Sequence, residues 1–244
     1  MATQGQRRAA TRDRLIDAAT DVLVSAGAAG FTTTEVGKRA GLSQGAIFKH
    51  FATKADLLTA TVEGIFAGLV VTYEGEFVAR TQPAVVPAGH LADAASSTQA
   101  ERLSTGLDLL WEIFQDERLL AAYDLFAAAR TDPALQADLQ PVVRAHVANL
   151  HALADLLFPE AHGIDPARLH DAVDLAAAAM QGLVINRLAV ADPDVEERVR
   201  VLLQRWVGDR LTDLLADAGH AGDDGAHDRV APASGASSRH EVTR

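Results

Sequence analysis

The chain of 244 residues contains no cysteine, which excludes disulfides, thiolate metal sites, cysteine nucleophiles and thiol redox sensing. Aromatic residues are only 5% of it, with two Trp and two Tyr, so its core must be largely aliphatic. Alternating apolar and polar runs are also lacking. Leu69-Val-Val-Thr-Tyr73 is the one β-like patch, and it lies inside a longer helical stretch. The most apolar stretch, Leu175 to Val190, is interrupted by Gln181, Asn186 and Arg187. It is too short to span a bilayer, so no membrane partner is expected. The polar, basic beginning has no apolar signal-like segment, and the expected location is the cytoplasm. Neither a Gly-rich phosphate loop nor a His-Glu-x-x-His pair occurs, so no enzyme and no cofactor are expected. His146 and His151 are five apart and diverge on a helix, and His220, His227 and His240 fall near the C-terminus. No metal site is expected from them.

The net charge is −11, which taken alone argues against a polyanion partner. Its distribution reverses that reading. Residues 1–54 carry eight basic and four acidic side chains, including all three lysines, Lys38, Lys49 and Lys54. A small basic head on an acidic body points to a head that touches a polyanion.

The periodicity is helical nearly throughout. A first helix is expected from about Ala9 to Ala26, with Leu15, Ala19, Val22 and Leu23 on one face and Gly27 and Gly30 ending it. Thr32 and Glu35 form a capping box, and Phe31 and Val36 a hydrophobic staple. Gly41 stops that second helix after Ala40. Ser43 caps another short helix, from Gln44 to about His50, and Thr53 and Asp56 open a long one to about Arg80. Two short helices joined by Ala40-Gly41-Leu42-Ser43 and preceded by a longer one predict a helix-turn-helix.

In such a unit the second short helix can enter the DNA major groove. Ile47 and Phe51, at i and i+4, are expected to pack inward. Gln44, Gly45, Ala46, Phe48, Lys49 and His50 are left to face out. Gln can bond adenine in two places, Ala can meet a thymine methyl, and Lys can reach guanine or a phosphate. Thr33, Thr34 and Ser43 sit where hydroxyls and helix N-terminal amides hold phosphates, and Lys54 can reach the same strand. A three-helix piece with a merely solvated face would show the same spacing.

The run from Phe31 to Leu58 settles the choice, because it resembles the DNA-binding segment of the TetR family of transcriptional regulators. Ala40-Gly-Leu-Ser43, Phe48-Lys-His-Phe51, Lys54 and Leu57-Leu58 carry the likeness, and Ile16-Asp-Ala-Ala19 with Gly27 extends it to residues 9–58. The resemblance implies an all-α homodimer with an N-terminal three-helix DNA-binding domain. A larger helical domain would bind a small-molecule effector, and its last two helices would pair with the partner's. It implies DNA contacts at Thr33, Gln44, Gly45, Ala46, Phe48, Lys49, His50 and Lys54. Two positions depart from the pattern. Phe48 stands where the family often has a Tyr that bonds a phosphate. Gly37 stands where Ala is usual, which should loosen its helix by about 1 kcal/mol.

The expected organisation is a flexible basic segment over 1–8, the DNA-binding domain over 9–54 with its helix-turn-helix at 32–51, a ligand-binding and dimerisation domain over 55–218, and a disordered tail over 219–244. Residues 81–98, rich in Pro, Ala, Gly and Ser, read as a connection. Further helices are expected over about 99–114 and 117–130, then from Asp132-Pro133, Asp165-Pro166 and Asp192-Pro193, with Pro141 kinking or dividing the third. Leu175, Ala176, Ala179, Leu183 and Leu188 form one broad apolar face near the end. Val199, Leu202, Leu203, Trp206, Leu211, Leu214 and Leu215 form another, and together they suit a dimer interface. Trp111, Phe114, Tyr123, Phe126, His146, Gln181 and Asn186 are candidate ligand contacts, His151 a weaker one. The double-stranded DNA partner would be a pseudo-palindromic operator read by two heads about 34 Å apart. An activator, or a helical dimer that works through a protein partner, would fit the same body.

Overall fold

The computed structural model describes residues 3–81 and 91–224, and among them every regular element is a helix. In chain order these are α1 (Gln4–Gly30), α2 (Thr33–Ala40), α3 (Gln44–Phe48), α4 (Lys54–Thr81), α5 (Leu91–Phe114), α6 (Glu117–Ala129), α7 (Pro133–Leu157), α8 (Pro159–His162), α9 (Pro166–Arg187) and α10 (Pro193–Asp224). The all-α expectation is met.

Local chemistry explains the boundaries. Thr3 caps α1 in a box with Gln6, so residues 4–8, expected as a flexible segment, are its opening turns. Gly27 breaks α1 with a φ of 65°, as expected, and residues 28–30 add a separate turn. The Thr32 hydroxyl accepts from the Glu35 amide at 3.1 Å. The Glu35 carboxylate pairs with Lys38 instead of returning to Thr32, so half of the expected box is formed. Gly41 ends α2 in the left-handed region, φ 64°, where only a residue without Cβ sits free of strain. Thr53 and Asp56 cap α4 reciprocally, at 2.9 and 3.0 Å. Asp132, Asp165 and Asp192 cap α7, α9 and α10.

Three expectations are corrected. α7 runs through Pro141 undivided, so of the expected kink or division it is the division that is corrected. That proline is exposed, while Leu139 and Val142 on either side are buried and anchor both halves to the core. α5 begins at Leu91 rather than near residue 99, so part of the expected connection is helical. α10 continues to Asp224, past the expected boundary at 218. The rest of the expected tail, and residues 82–90, lie outside the described residues.

α4 is long and apolar enough to cross a membrane by length and composition. Most of its large apolar side chains, Val71 and Val78 excepted, instead meet other helices: it packs against α1, α5, α6 and α7. Leu15, Val22, Leu23, Phe31, Val36, Ile47, Phe51 and Leu57 form the head of a continuous apolar core. That core passes along α4 into the body between α5, α7 and α9.

Candidate nucleic-acid interface and body cavity

The head splits its residues as the spacing requires. Ile47 is 1% exposed and Phe51 2%, whereas Gln44, Gly45 and Lys49 are exposed and Ala46 and His50 partly so. Phe48, at 48% exposure, shows its ring to solvent. α3 ends at Phe48, so Lys49 and His50 occupy the turn after it. The Arg12 guanidinium lies over the Phe51 ring at 4.5 Å and fastens α1 to that turn.

The α2–α3 junction is tight. Gly37 is buried, and a Cβ there would come within 2.9 Å of the Leu42 carbonyl oxygen and 3.4 Å of Ile47 Cδ1. The glycine therefore permits the close turn. The expected cost to α2 in helix propensity is a separate effect of the same residue. The Leu42 amide donates to the Gly37 carbonyl at 2.9 Å. Ser43 Oγ accepts from the Ala46 amide at 3.2 Å, and Gln44 Nε2 donates to Thr34 Oγ1 at 2.6 Å. Thr33 is half-buried at the start of α2, and Lys54 is exposed at the start of α4 with Nζ 5.6 Å from the Phe31 ring centroid. Of these ten positions the structure joins Thr34 to Gln44 and Ser43 to Ala46 directly. Gly41-Leu42-Ser43-Gln44-Gly45 also spells G-x-S-x-G, the sequence pattern of a nucleophile elbow. Here it links two helices, without the strand-to-helix turn that a nucleophile elbow needs.

The body holds a cavity of about 110 Å³ between α4, α5, α7, α9 and α10. Of the seven ligand candidates it is lined by two, Phe114 and His146. The other five are placed elsewhere. Trp111 is buried under the Arg200 guanidinium, and Tyr123 packs against Phe126. Phe126 borders a separate open depression with Arg130 and Arg144. Gln181 is partly covered and Asn186 exposed on α9. His151 stacks on His170 at 4.2 Å, and its Nε2 meets Asp174 at 2.8 Å, which ties α7 to α9.

Ten of the cavity's lining residues are leucines. They carry no signal that separates a cavity wall from ordinary core. Tyr73, also in the wall, donates its hydroxyl to the Gly106 carbonyl at 2.9 Å. The β-like patch that contains it is helical, as expected. His146 stacks on Phe66 at 3.9 Å. Its Nδ1 is buried without a hydrogen-bond partner, and burial pushes its pKa down to about 4, so the ring is neutral at physiological pH.

The expected broad faces of the last helices divide in two. Ala176, Leu183, Leu203 and Leu211 point into the core, while Leu175, Leu188 and Leu202 are exposed. Ala178, Gly182 and Ile185 continue the outward face of α9 beside Leu175. Val201 joins Leu202 on α10, and the side chains of Leu214 and Leu215 lie outside the described residues.

Comparison with known proteins agrees with this architecture. Residues 15–61 match the family described as bacterial regulatory proteins, tetR family, and residues 96–209 match the tetracyclin repressor-like C-terminal domain. An uncharacterized HTH-type transcriptional regulator of Mycobacterium tuberculosis is 31% identical over 196 residues, 80% of this chain and 92% of that protein. The HTH-type transcriptional regulator CymR of Pseudomonas putida is 30% identical over 200 residues, 81% and 89% of the two chains. The fold is shared with a transcriptional regulator from Rhodococcus sp. Rha1, at TM-score 0.54 and 21% identity over 83% and 96% of the two chains. It is also shared with the multidrug binding protein EbrR complexed with ethidium, at 0.55 and 24% over 80% and 97%. With a matching head, a matching body and relatives aligned over most of their length, the chain belongs to the TetR family of DNA-binding transcriptional regulators.

Proposed function

We propose that this chain is a cytoplasmic homodimeric repressor whose DNA grip is released by a small molecule held in the body. The observation that carries the DNA half is the partition of α3 and the turn after it: Ile47 and Phe51 buried, Gln44, Gly45 and Lys49 presented outward. Gln44, Gly45, Ala46 and His50 would meet base edges, and Thr33, Thr34, Ser43, Lys49 and Lys54 would meet phosphates or guanine. Phe48 lacks the phenol for a phosphate bond and would offer apolar contact, for example to a thymine methyl.

The exposed Leu175, Ile185, Val201 and Leu202 supply an apolar face for a second copy, with Ala178 and Gly182 allowing close approach. Dimerisation would set two heads one duplex turn apart. Leu119, in the first turn of α6, lines the cavity, and α6 also packs against α1 of the head. A ligand that prefers a different placement of α6 would shift the population away from the DNA-competent spacing. The multidrug binding protein EbrR, of the same fold, is seen with ethidium.

The test is a footprint on the DNA flanking the protein's own gene, repeated across a salt series. A protected pseudo-palindrome whose affinity falls steeply with salt supports the reading. Protection of no fragment, at any salt, overturns it.

A further inference from the structure

We infer that the effector is an uncharged, mainly hydrocarbon molecule of about one-ring size carrying a single hydrogen-bonding group, and that His146 is the residue that recognises this group. The inference rests on the regulator reading only for the consequence of binding, not for the binding itself.

Three observations converge. The wall is built from aliphatic and aromatic side chains. Among the described residues only Tyr73 and His146 bring polar side chains to it, and no Lys, Arg, Asp or Glu does. A charged ligand entering here would lose its hydration with no counter-charge to replace it, which costs far more than apolar contact returns. Volume sets the size: about 110 Å³ is a little below the roughly 150 Å³ of an engineered apolar cavity that takes up benzene.

Polarity sets the third requirement. The Tyr73 hydroxyl already spends its proton on the Gly106 carbonyl at 2.9 Å. His146 is different, because its Nδ1 is buried and bonded to nothing. Buried polar groups are nearly always paired, so a wall residue with an orphaned nitrogen has a hydrogen bond to offer a ligand that enters this cavity. Stacking on Phe66 at 3.9 Å holds the ring plane. A neutral imidazole offers one N–H and one lone pair, and a ligand hydroxyl can serve either tautomer. A hydrocarbon alone fits the space and leaves Nδ1 orphaned. A carboxylate fits neither the charge nor the wall.

The experiment measures binding of toluene, p-cresol and benzoate to the full chain by calorimetry, without DNA. The expected order is p-cresol above toluene by about tenfold, the worth of one buried hydrogen bond, with benzoate binding at least tenfold more weakly than toluene. His146→Phe, checked for folding by circular dichroism, should bring p-cresol down to toluene while toluene is unchanged. His146→Gln should restore part of the preference. Benzoate binding as tightly as p-cresol overturns the inference, as does a p-cresol to toluene ratio that His146→Phe leaves intact, or no binding of any of the three. If p-cresol binds as expected but DNA affinity is the same with and without it, the inference stands and ligand-controlled repression falls.

Discussion

Gln44 donates its side-chain amide to the Thr34 hydroxyl at 2.6 Å, across the turn that joins α2 and α3. Both residues are exposed, so the bond contributes little to packing and instead fixes one side chain's direction. A second amide hydrogen and Oε1 remain for adenine N7 and N6, the pair a glutamine reads. Thr34→Val keeps the shape and removes the acceptor. Operator affinity should fall about threefold to tenfold, one modest hydrogen bond's worth. Discrimination at the contacted base pair should weaken with it. Competition footprinting with base-substituted sites reads both, and an equal loss on every sequence would show that Thr34 acts only as the phosphate contact proposed above and does not orient Gln44.

Lys49 and Ile47 lie two residues apart and should fail in opposite ways. Lys49 is exposed, so Lys49→Ala should leave unfolding within about 0.5 kcal/mol of the parent. If it meets a phosphate, the slope of log affinity against log salt drops by about 0.9. Ile47 is 1% exposed, and Ile47→Asp puts a carboxylate where no counter-charge waits. The head should unfold, seen as lost helical ellipticity before any DNA is added. A folded Ile47→Asp head would mean that α3 is not seated as described.

Gly37→Ala separates helix propensity from packing. Propensity alone predicts a gain of about 1 kcal/mol for alanine in α2. The geometry predicts a loss, because the new methyl meets a backbone oxygen at 2.9 Å, which cannot swing aside as a side-chain tip can. Thermal unfolding should show a lower midpoint, by several degrees if the loss is about 1 kcal/mol. A raised midpoint would show that the turn relaxes freely.

The head was readable because its boundaries are written in single residues with local physics: Thr32, Ser43 and Thr53 at helix starts, Gly41 at a left-handed stop. Ile47 and Phe51 needed only helical spacing to be assigned inward. Apart from the local cap of α1, the remaining features depend on tertiary contacts. Thr3 and Gln6 cap α1 as Thr53 and Asp56 cap α4, yet the neighbouring Arg7 and Arg8 made that segment look like a tail. Pro141 stays within α7 because Leu139 and Val142 hold the helix to the core, a contact no local rule contains. The cavity was least legible. A leucine beside empty space and a leucine beside another leucine have the same neighbours in sequence, while polar side chains such as Gln181 and Asn186, suited to ligand contact by chemistry, lie outside the cavity wall.

His146 makes stability depend on pH in a stated direction. The unfolded ring takes a proton near pH 6.5, while the folded one resists until about pH 4. Below pH 6.5 the unfolded chain therefore binds a proton that the folded chain does not. Stability falls as pH drops through that window, by at most about 1.4 kcal/mol per pH unit. Above it the group adds no slope. The ring is not fully enclosed, so solvent reduces the effect. Denaturant titrations from pH 7 down to pH 4 should show a steeper decline for the parent than for His146→Phe. Parallel curves would mean that the folded ring is protonated along with the unfolded one.

Leu202 is 61% exposed on α10, and Leu175 is 45% exposed on α9. Replacing Leu202 with Glu removes no core contact, so the fold of each chain should change by less than about 0.5 kcal/mol. In a dimer that buries this face the same change places two carboxylates near a symmetry axis, because an isologous interface repeats every substitution. Sedimentation should then show a monomer–dimer equilibrium moved strongly toward monomer. Operator binding should weaken with it, since one head keeps only half of the phosphate contacts that two heads share. Binding of p-cresol by the monomer should persist, because the cavity is lined from within one chain. A Leu202→Glu protein that sediments as the parent does would remove α10 from the interface and leave α9, through Leu175 and Ile185, as the face to test next.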